Sequence, residues 1–456
     1  MLSFALLVLV LLAGLSDLAN FATAKRLAGE GGHFLVLQRD GQVFAVGRND
    51  QGQLGLNTTT HAFLPQFMLS VTNATDVSAG YSHSCLIDGQ VKCTGNNSNE
   101  QLGDGTQEEK HVLVPVPGLK SRIEEVYCGS YGSCVRSTSG KVWCWGGFYY
   151  TSISPTNITV PGRVQSMSLG LQHLCFVVAG GKLYCMGDNA SGQLGTGDYT
   201  SQRTPTRVLG MATTDVVSVA CGQEHTCAVK AYGGMLCWGN RLYGRLGNPY
   251  LTQNALVPSR VLGMTSGAAS AWTGQFNSFA LMRNGTVLAF GRDQYGVFGN
   301  SLFGTKGAPT MYGRGVSGVV EIRGGIPTTC VLLQNDQVKC TGVNSFGQFG
   351  VGNNVTSRTL VDMRLPTKRL TKAPTSKPTK RPTEAPTKGP TKAPTAAPTK
   401  RPTKAPTARP TKKATLAPTK RPSKTPTAKP TKKATLAPTK KATLAPTKKA
   451  TLAPTS

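Results

Sequence analysis

The sequence predicts an all-β repeat fold of seven blade-sized units followed by a C-terminal tail that has no core. Three observations carry this reading: a glycine-turned pair of short β runs that recurs, the spacing of its recurrences, and an abrupt change of composition after Leu365. The glycine closing the second run stands at Gly47, Gly95, Gly146, Gly187, Gly239, Gly291 and Gly342, at intervals of 48, 51, 41, 52, 52 and 51 residues. Units of that length, each with two short strands around a turn, have the size of propeller blades. Alternating runs such as "VFAVG" and "HTCAV" fit half-buried strands, not helices.

The first 24 residues read as a secretory signal: an apolar run from Leu2 to Leu15, then small residues at Ala22 and Ala24 in an Ala-x-Ala cleavage pattern. The run is shorter than the roughly 20 residues a spanning helix needs, so no membrane span is expected. The expected location is extracellular, in a cell wall or matrix.

The units fill residues 25–366. They read "GGHFLVLQRDGQVFAVGRNDQGQLG", "GYSHSCLIDGQVKCTGNNSNEQLG", "GSYGSCVRSTSGKVWCWGG", "GLQHLCFVVAGGKLYCMGDNASGQLG", "GQEHTCAVKAYGGMLCWGNRLYGRLG", "GQFNSFALMRNGTVLAFGRDQYGVFG" and "GGIPTTCVLLQNDQVKCTGVNSFGQFG". The opening Gly-x-x-His-[Ser/Thr], the Gly-turned hairpin and the Gly-x-Asn-x-x-Gly-Gln-Leu-Gly loop resemble the regulator of chromosome condensation repeat family. That resemblance implies a seven-bladed β-propeller. The third unit departs from the pattern, because "GGFYYTSISP" replaces the Gly-Gln-Leu-Gly loop, so the surface from Phe148 to Ile153 should differ. The first unit has no obvious strand before Gly31, and "TLVDMRLP" follows the last loop. This segment is therefore expected to close the ring by pairing within the N-terminal blade, which would remove two exposed edges.

Ten of twelve cysteines fall in same-unit pairs: Cys85/Cys93, Cys134/Cys144, Cys175/Cys185, Cys227/Cys237 and Cys330/Cys340. In the other two units both positions change together, to Leu35/Ala45 and Phe279/Ala289. Paired gain and loss is what a covalent link requires. Directly opposed residues of an antiparallel hairpin lie ~4.5 Å apart at non-hydrogen-bonded positions, which a disulfide can span. Secretion supplies the oxidising compartment. Metal binding and redox catalysis are disfavoured, because no Cys-x-x-Cys pair occurs. Cys128 and Cys221 stand at matching positions six residues before a paired cysteine and read as buried thiols.

His33, His83, His173 and His225 occupy one repeat position. Their expected role is hydrogen bonding to loop backbone rather than catalysis, since no carboxylate or nucleophile keeps a fixed spacing from them. The Gly-rich loops lack the Lys-[Ser/Thr] ending of a phosphate loop, and neither a Gly-x-Ser-x-Gly nor a His-Glu-x-x-His motif occurs. No enzyme and no cofactor is expected. One rim patch stands out as a candidate ligand surface: Tyr243, Tyr295 and Phe346 precede the loop glycine in units five to seven, with Arg241, Arg245 and Arg292 beside them. Sequons at Asn57, Asn73, Asn96, Asn157, Asn189, Asn284 and Asn354 become N-glycan sites in a secreted chain.

The net charge of +29 resides mostly in the tail. From Pro366 onward 19 Lys and 5 Arg face one acid, Glu384, leaving the body at +6. Residues 367–456, with "APTKGPTKAPT" and three tandem "KKATLAPT" blocks near the end, have no hydrophobic pattern and read as a disordered polycation. The expectation is an extracellular recognition or scaffold protein, its propeller gripping a protein or glycan and its tail an anionic polysaccharide or mineral matrix. The resemblance implies an alternative, exchange of guanine nucleotide on the small GTPase Ran or chromatin binding. A secreted enzyme inhibitor is a third reading, because propellers offer a broad rigid face.

Overall fold

The computed structural model describes residues 25–366 except 148–150, 212–214, 303 and 326. These residues form seven four-stranded antiparallel sheets, and each sheet takes its strands in consecutive order. We number these blades 1 to 7 along the chain. Blade 1, for example, runs from its innermost strand Leu27–Glu30 through His33–Leu37 and Val43–Gly47 to its outer strand Ala62–Phe67. The fold is a seven-bladed β-propeller, as the repeats predict. The signal segment, the tail and Phe148 lie outside the described residues. Among the described residues, no helix is long and apolar enough to cross a membrane.

Each strand pattern follows from where the blade meets its neighbours. Both faces of a second strand are covered, so "HTCAVK" at His225–Lys230 is buried throughout, whereas the outer strand Ala255–Arg260 is only half covered. Seven apolar clusters result, one per blade–blade junction. Ala28, Leu35 and Leu54 of blade 1 pack on Val77, Ala79 and Leu86 of blade 2, and the last cluster joins Leu332, Val338 and Phe349 of blade 7 to Leu27, Phe34 and Val36 of blade 1. The core is thus a ring of interfaces, each stabilised by apolar burial.

Ring closure differs from the expectation. The segment beginning Thr359 does not join blade 1; it lies in Ser357–Asp362, the outer strand of blade 7, paired with Val338–Gly342. Blade 1 carries its own innermost strand, Leu27–Glu30, paired with His33–Leu37. The residues "LAGE" hide it, since Ala, Gly and Glu are poor strand formers chosen here for crowding near the axis, where a Cβ at Gly29 would lie 2.1 Å from the Phe34 ring. Closure is instead polar as well as apolar. The Glu321 carboxylate accepts the backbone N–H groups of Arg26 (2.8 Å) and Leu27 (3.1 Å), and Arg26 pairs with Asp336 at 2.7 Å.

Blade 3 departs as expected. Its third strand Val142–Gly147 is followed almost at once by the outer strand Thr151–Ile158, with Gly147 opposite Thr151 and a register shift between Cys144 and Gly146. Three residues separate these strands, where Gly47 and Ala62 of blade 1 have 14 between them.

Candidate functional site: the loop-side rim

Alternating strand direction places two kinds of connection on one face of the disc: the turn from first to second strand and the loop from third to outer strand. The loops are fastened by the repeat asparagine. Asn49 Oδ1 accepts the N–H of Leu54 (2.9 Å) while its Nδ2 donates to Thr58 O (2.8 Å). Asn97, Asn189 and Asn344 repeat both bonds with residues five and nine positions on. Blade 6 has Asp293 there; Oδ1 accepts from Phe298 N at 3.0 Å, but Oδ2 is buried without a partner, and burial pushes the carboxyl up to about 6.

Beneath the loops the four histidines are fully buried, and their role is one step removed from the expectation. Nε2 of His33, His83, His173 and His225 meets the hydroxyl of Ser84, Ser133, Thr226 and Ser278, each in the next blade, at 2.8, 2.8, 2.9 and 2.9 Å. The hydroxyl, not the imidazole, reaches loop backbone: Ser133 donates to Gln101 O (2.8 Å), Thr226 to Gln193 O (2.8 Å) and Ser278 to Arg245 O (2.7 Å). A donating hydroxyl must accept from the ring, so Nε2 carries the proton. Burial pushes His33 and His83 down to about 3 and His173 to about 4, and lowers His225 strongly. These rings stay neutral at physiological pH and bolt one blade to the next.

Above them, the sequence-chosen patch divides in two. Between blades 5 and 6 the Arg292 guanidinium lies 4.7 Å from the Tyr243 ring centre and 5.3 Å from that of Phe276, and the two rings meet edge-on at 5.6 Å. Tyr243 is 41% exposed and sits at φ 61°, a conformation bulky residues seldom take, beside exposed Leu242 and Arg241. Arg245 is not a surface group as the sequence reading had it. It is 1% exposed, donates to Leu242 O (3.0 Å) and lies 5.0 Å from Phe276, so it supports the cluster from below. Phe346 belongs to a second cluster, where Arg48 stands 5.6 Å from both Phe346 and Tyr81, and His61 meets Phe346 at 5.1 Å. Tyr295 is exposed on blade 6, the blade that carries Phe276 and Arg292.

The two clusters differ in charge. Arg48 is paired with Asp50 at 2.7 Å. Arg292 lies against two rings, and no carboxylate among the described residues pairs with it. Phe276, Tyr81 and His61 escaped the sequence reading because they lie at other repeat positions; Arg48 shares the position of Arg292, directly after the repeat glycines Gly47 and Gly291, and is the signal that matches the two clusters.

Five disulfides join the expected pairs, each linking directly opposed residues of a blade's second and third strands with Cα atoms 4.1 Å apart. Cys128 and Cys221 are free and buried. Two groups of metal-binding residue types come close, His83/Cys85/Cys128 and His173/Cys175/Cys221, but Cys85 and Cys175 are consumed by disulfides and offer no thiolate. Among the sequons, Asn57, Asn73, Asn157, Asn284 and Asn354 are exposed and Asn96 is half-buried. Asn189 is 0% exposed, and its Nδ2 donates to Thr196, Asp198 and Thr200; the nitrogen that would carry a glycan is the one that fastens the loop.

A cavity of about 690 Å³ runs between the innermost strands, lined by Glu30, Ser130, Cys128, Cys221, Gln223 and Trp272 among others. Glu30 stands where the other six blades have glycine (Gly80, Gly129, Gly170, Gly222, Gly274, Gly325). Burial raises its carboxyl to about 7, and Ser130 donates to it at 3.0 Å.

Comparison with known proteins agrees with this architecture. Two profiles described as the Regulator of chromosome condensation (RCC1) repeat match, one at residues 40–87, 88–136 and 180–229, the other at 74–101, 123–150, 164–193 and 216–245. The Ultraviolet-B receptor UVR8 of Arabidopsis thaliana is 30% identical over 311 residues, 64% of this chain and 70% of that protein. The Secretion-regulating guanine nucleotide exchange factor of Bos taurus is 25% identical over 296 residues, 63% of this chain and 56% of that protein. Yeast RCC1 (Prp20), solved bound to Kap60, shares the fold with a TM-score of 0.64 at 16% identity, over 75% of this chain and 88% of that one.

Proposed function

The chain belongs to the regulator of chromosome condensation (RCC1) repeat family, and from that premise we propose that it is a secreted, non-catalytic recognition protein whose propeller rim binds a protein or glycan. The observation that carries the reading is Arg292, which lies within 4.7 Å of the Tyr243 ring centre and 5.3 Å of that of Phe276 without a carboxylate partner among the described residues. A guanidinium already held by ring contacts loses less entropy on binding, and its donor fork suits a carboxylate or sulfate. Aromatic and arginine anchors of this kind carry most of the binding energy in interfaces. The five disulfides support passage through an oxidising compartment, and the polycationic tail, residues 367–456, fits an anionic polysaccharide or mineral surface.

Two measurements test this reading. The mature protein recovered from the medium of expressing cells should begin near Lys25. Cross-linking in its native matrix should capture a partner with intact protein and lose it with Arg292→Gln, while the thermal midpoint stays within about 2 °C. Retention of the partner by Arg292→Gln would move the binding surface elsewhere. The second reading, nucleotide exchange on a small GTPase, is favoured by the bovine relative's name alone. Accelerated GDP release from a GTPase by the purified propeller protein would establish it.

A further inference from the structure

We infer that Cys128 and Cys221 are standby disulfide partners, able to exchange Cys85–Cys93 for Cys85–Cys128 and Cys175–Cys185 for Cys175–Cys221. The Sγ atoms of Cys128 and Cys85 lie within 4.8 Å of each other and of a His83 ring nitrogen, and Cys221, Cys175 and His173 repeat this arrangement. Ser133 Oγ sits 3.7 Å from Cys85 Sγ and 4.0 Å from Cys128 Sγ, so one hydroxyl touches both sulfurs. The remaining bridges provide the contrast. At the corresponding position of the following blade, Cys134–Cys144 faces Leu169, Cys227–Cys237 faces Thr273, and Cys330–Cys340 faces Gly29. Free thiols stand beside two bridges and not beside the other three.

The exchange balances without an external oxidant. The Cys128 thiolate attacks Cys85 Sγ; the new S–S bond forms as the bond to Cys93 breaks. Cys93 leaves as a thiolate and takes up the proton that Cys128 lost. The covalent link moves from within blade 2 to the junction of blades 2 and 3, and a thiol appears on Cys93. Burial pushes both waiting thiols up to about 12. Lys25 and His83 are the titratable groups facing Cys128, and His173 faces Cys221. Neither histidine is charged at neutral pH, so the thiolates stay scarce and the hairpin bridges persist.

The test uses the full chain oxidised in glutathione buffer, then non-reducing peptide mapping. In Cys93→Ser the peptides of Cys85 and Cys128 should be linked, and in Cys185→Ser those of Cys175 and Cys221. Each link forms as two thiols give two electrons to oxidised glutathione. In Cys144→Ser and Cys237→Ser, Cys134 and Cys227 should stay free or carry glutathione. Recovery of Cys85 and Cys128 as separate thiols in folded Cys93→Ser overturns the inference, as does linkage of Cys128 to any other cysteine. Should these variants not fold, the intact chain decides. Moving from pH 7 to pH 9 raises the thiolate fraction about a hundredfold, and the Cys85–Cys128 peptide should appear together with an alkylatable Cys93. Native connectivity alone after that incubation overturns the inference equally.

Discussion

His83 Nε2 lies 2.8 Å from Ser133 Oγ across the junction of blades 2 and 3, and that hydroxyl donates onward to Gln101 O. Three groups from two blades are satisfied by one buried proton relay. Ser133→Ala should cost about 1–3 kcal/mol, because it strands a buried ring N–H, while Gln101 O keeps the Trp145 indole N–H at 2.9 Å. His83→Ala on that background should add less than it does alone. Denaturant melting of the double-mutant cycle measures the coupling, and strict additivity would dismiss the relay.

The relay also sets an acid response. A histidine with folded pKa of about 3 and an ordinary value near 6.5 when unfolded is neutral in the native state. Its contribution is complete above pH 6.5 and is lost as pH falls from there toward 3. Replacing His83 with Gln should therefore flatten the loss of stability between pH 6 and pH 4 by about one proton's worth of slope. An unchanged slope would mean that the ring already charges in the folded protein.

Much of this was legible in the sequence for a physical reason: a repeat displays its structural residues several times. The cysteines could be paired because both partners are lost together, as at Leu35/Ala45. The relay was legible by the same logic and was missed. Blade 3 has Gly132 in place of histidine, and blade 4 has Leu174 in place of the hydroxyl, so the partners vanish together one blade apart. Looking within units finds hairpins; only looking between neighbouring units finds junctions. Glu321 follows the same rule: Asp76 and Ser218 hold its repeat position in blades 2 and 5, and all three accept the equivalent backbone N–H of the next blade, from Leu27, Val126 and Ala271.

Closure makes its own prediction. Glu321 holds two backbone N–H groups of blade 1 and lies 3.5 Å from Arg323. Charge-assisted bonds of this kind contribute ~1.5–3 kcal/mol each. Glu321→Ala should thus lower stability by about 3 kcal/mol and raise hydrogen exchange first in Leu27–Glu30. Glu321→Gln, which keeps one acceptor oxygen, should fall between. Protection that drops uniformly around the ring would count against a localised seam.

The staples should be individually dispensable. Cys227 and Cys237 are 10 residues apart. Closing so short a loop contributes about 3 kcal/mol or less, and the other blades still complete the ring. The double replacement with Ala should lower the thermal midpoint modestly and keep the yield of folded protein. Cys227→Ala alone should be worse, since the stranded Cys237 can reshuffle during folding; non-reducing electrophoresis would then show mixed bridges, and equal yields of both variants would remove the explanation.

Asp293 offers a gain rather than a loss. It occupies the position where blades 1, 2, 4 and 7 use asparagine, and its Oδ2 is buried with no partner while the equivalent Nδ2 elsewhere donates to a loop carbonyl. A carboxyl raised from 3.8 to about 6 is a stability cost once ionised. The cost is absent below pH 3.8, grows as pH rises through 6, and reaches on the order of 3 kcal/mol above it. Asp293→Asn should therefore raise stability at pH 7.5 by about 2–3 kcal/mol and by far less at pH 4. Chemical denaturation at the two pH values decides between causes. A gain equal at both would mean the new hydrogen bond alone is responsible, and no gain at pH 7.5 would mean that the ionised carboxylate already serves the rim, next to Arg292.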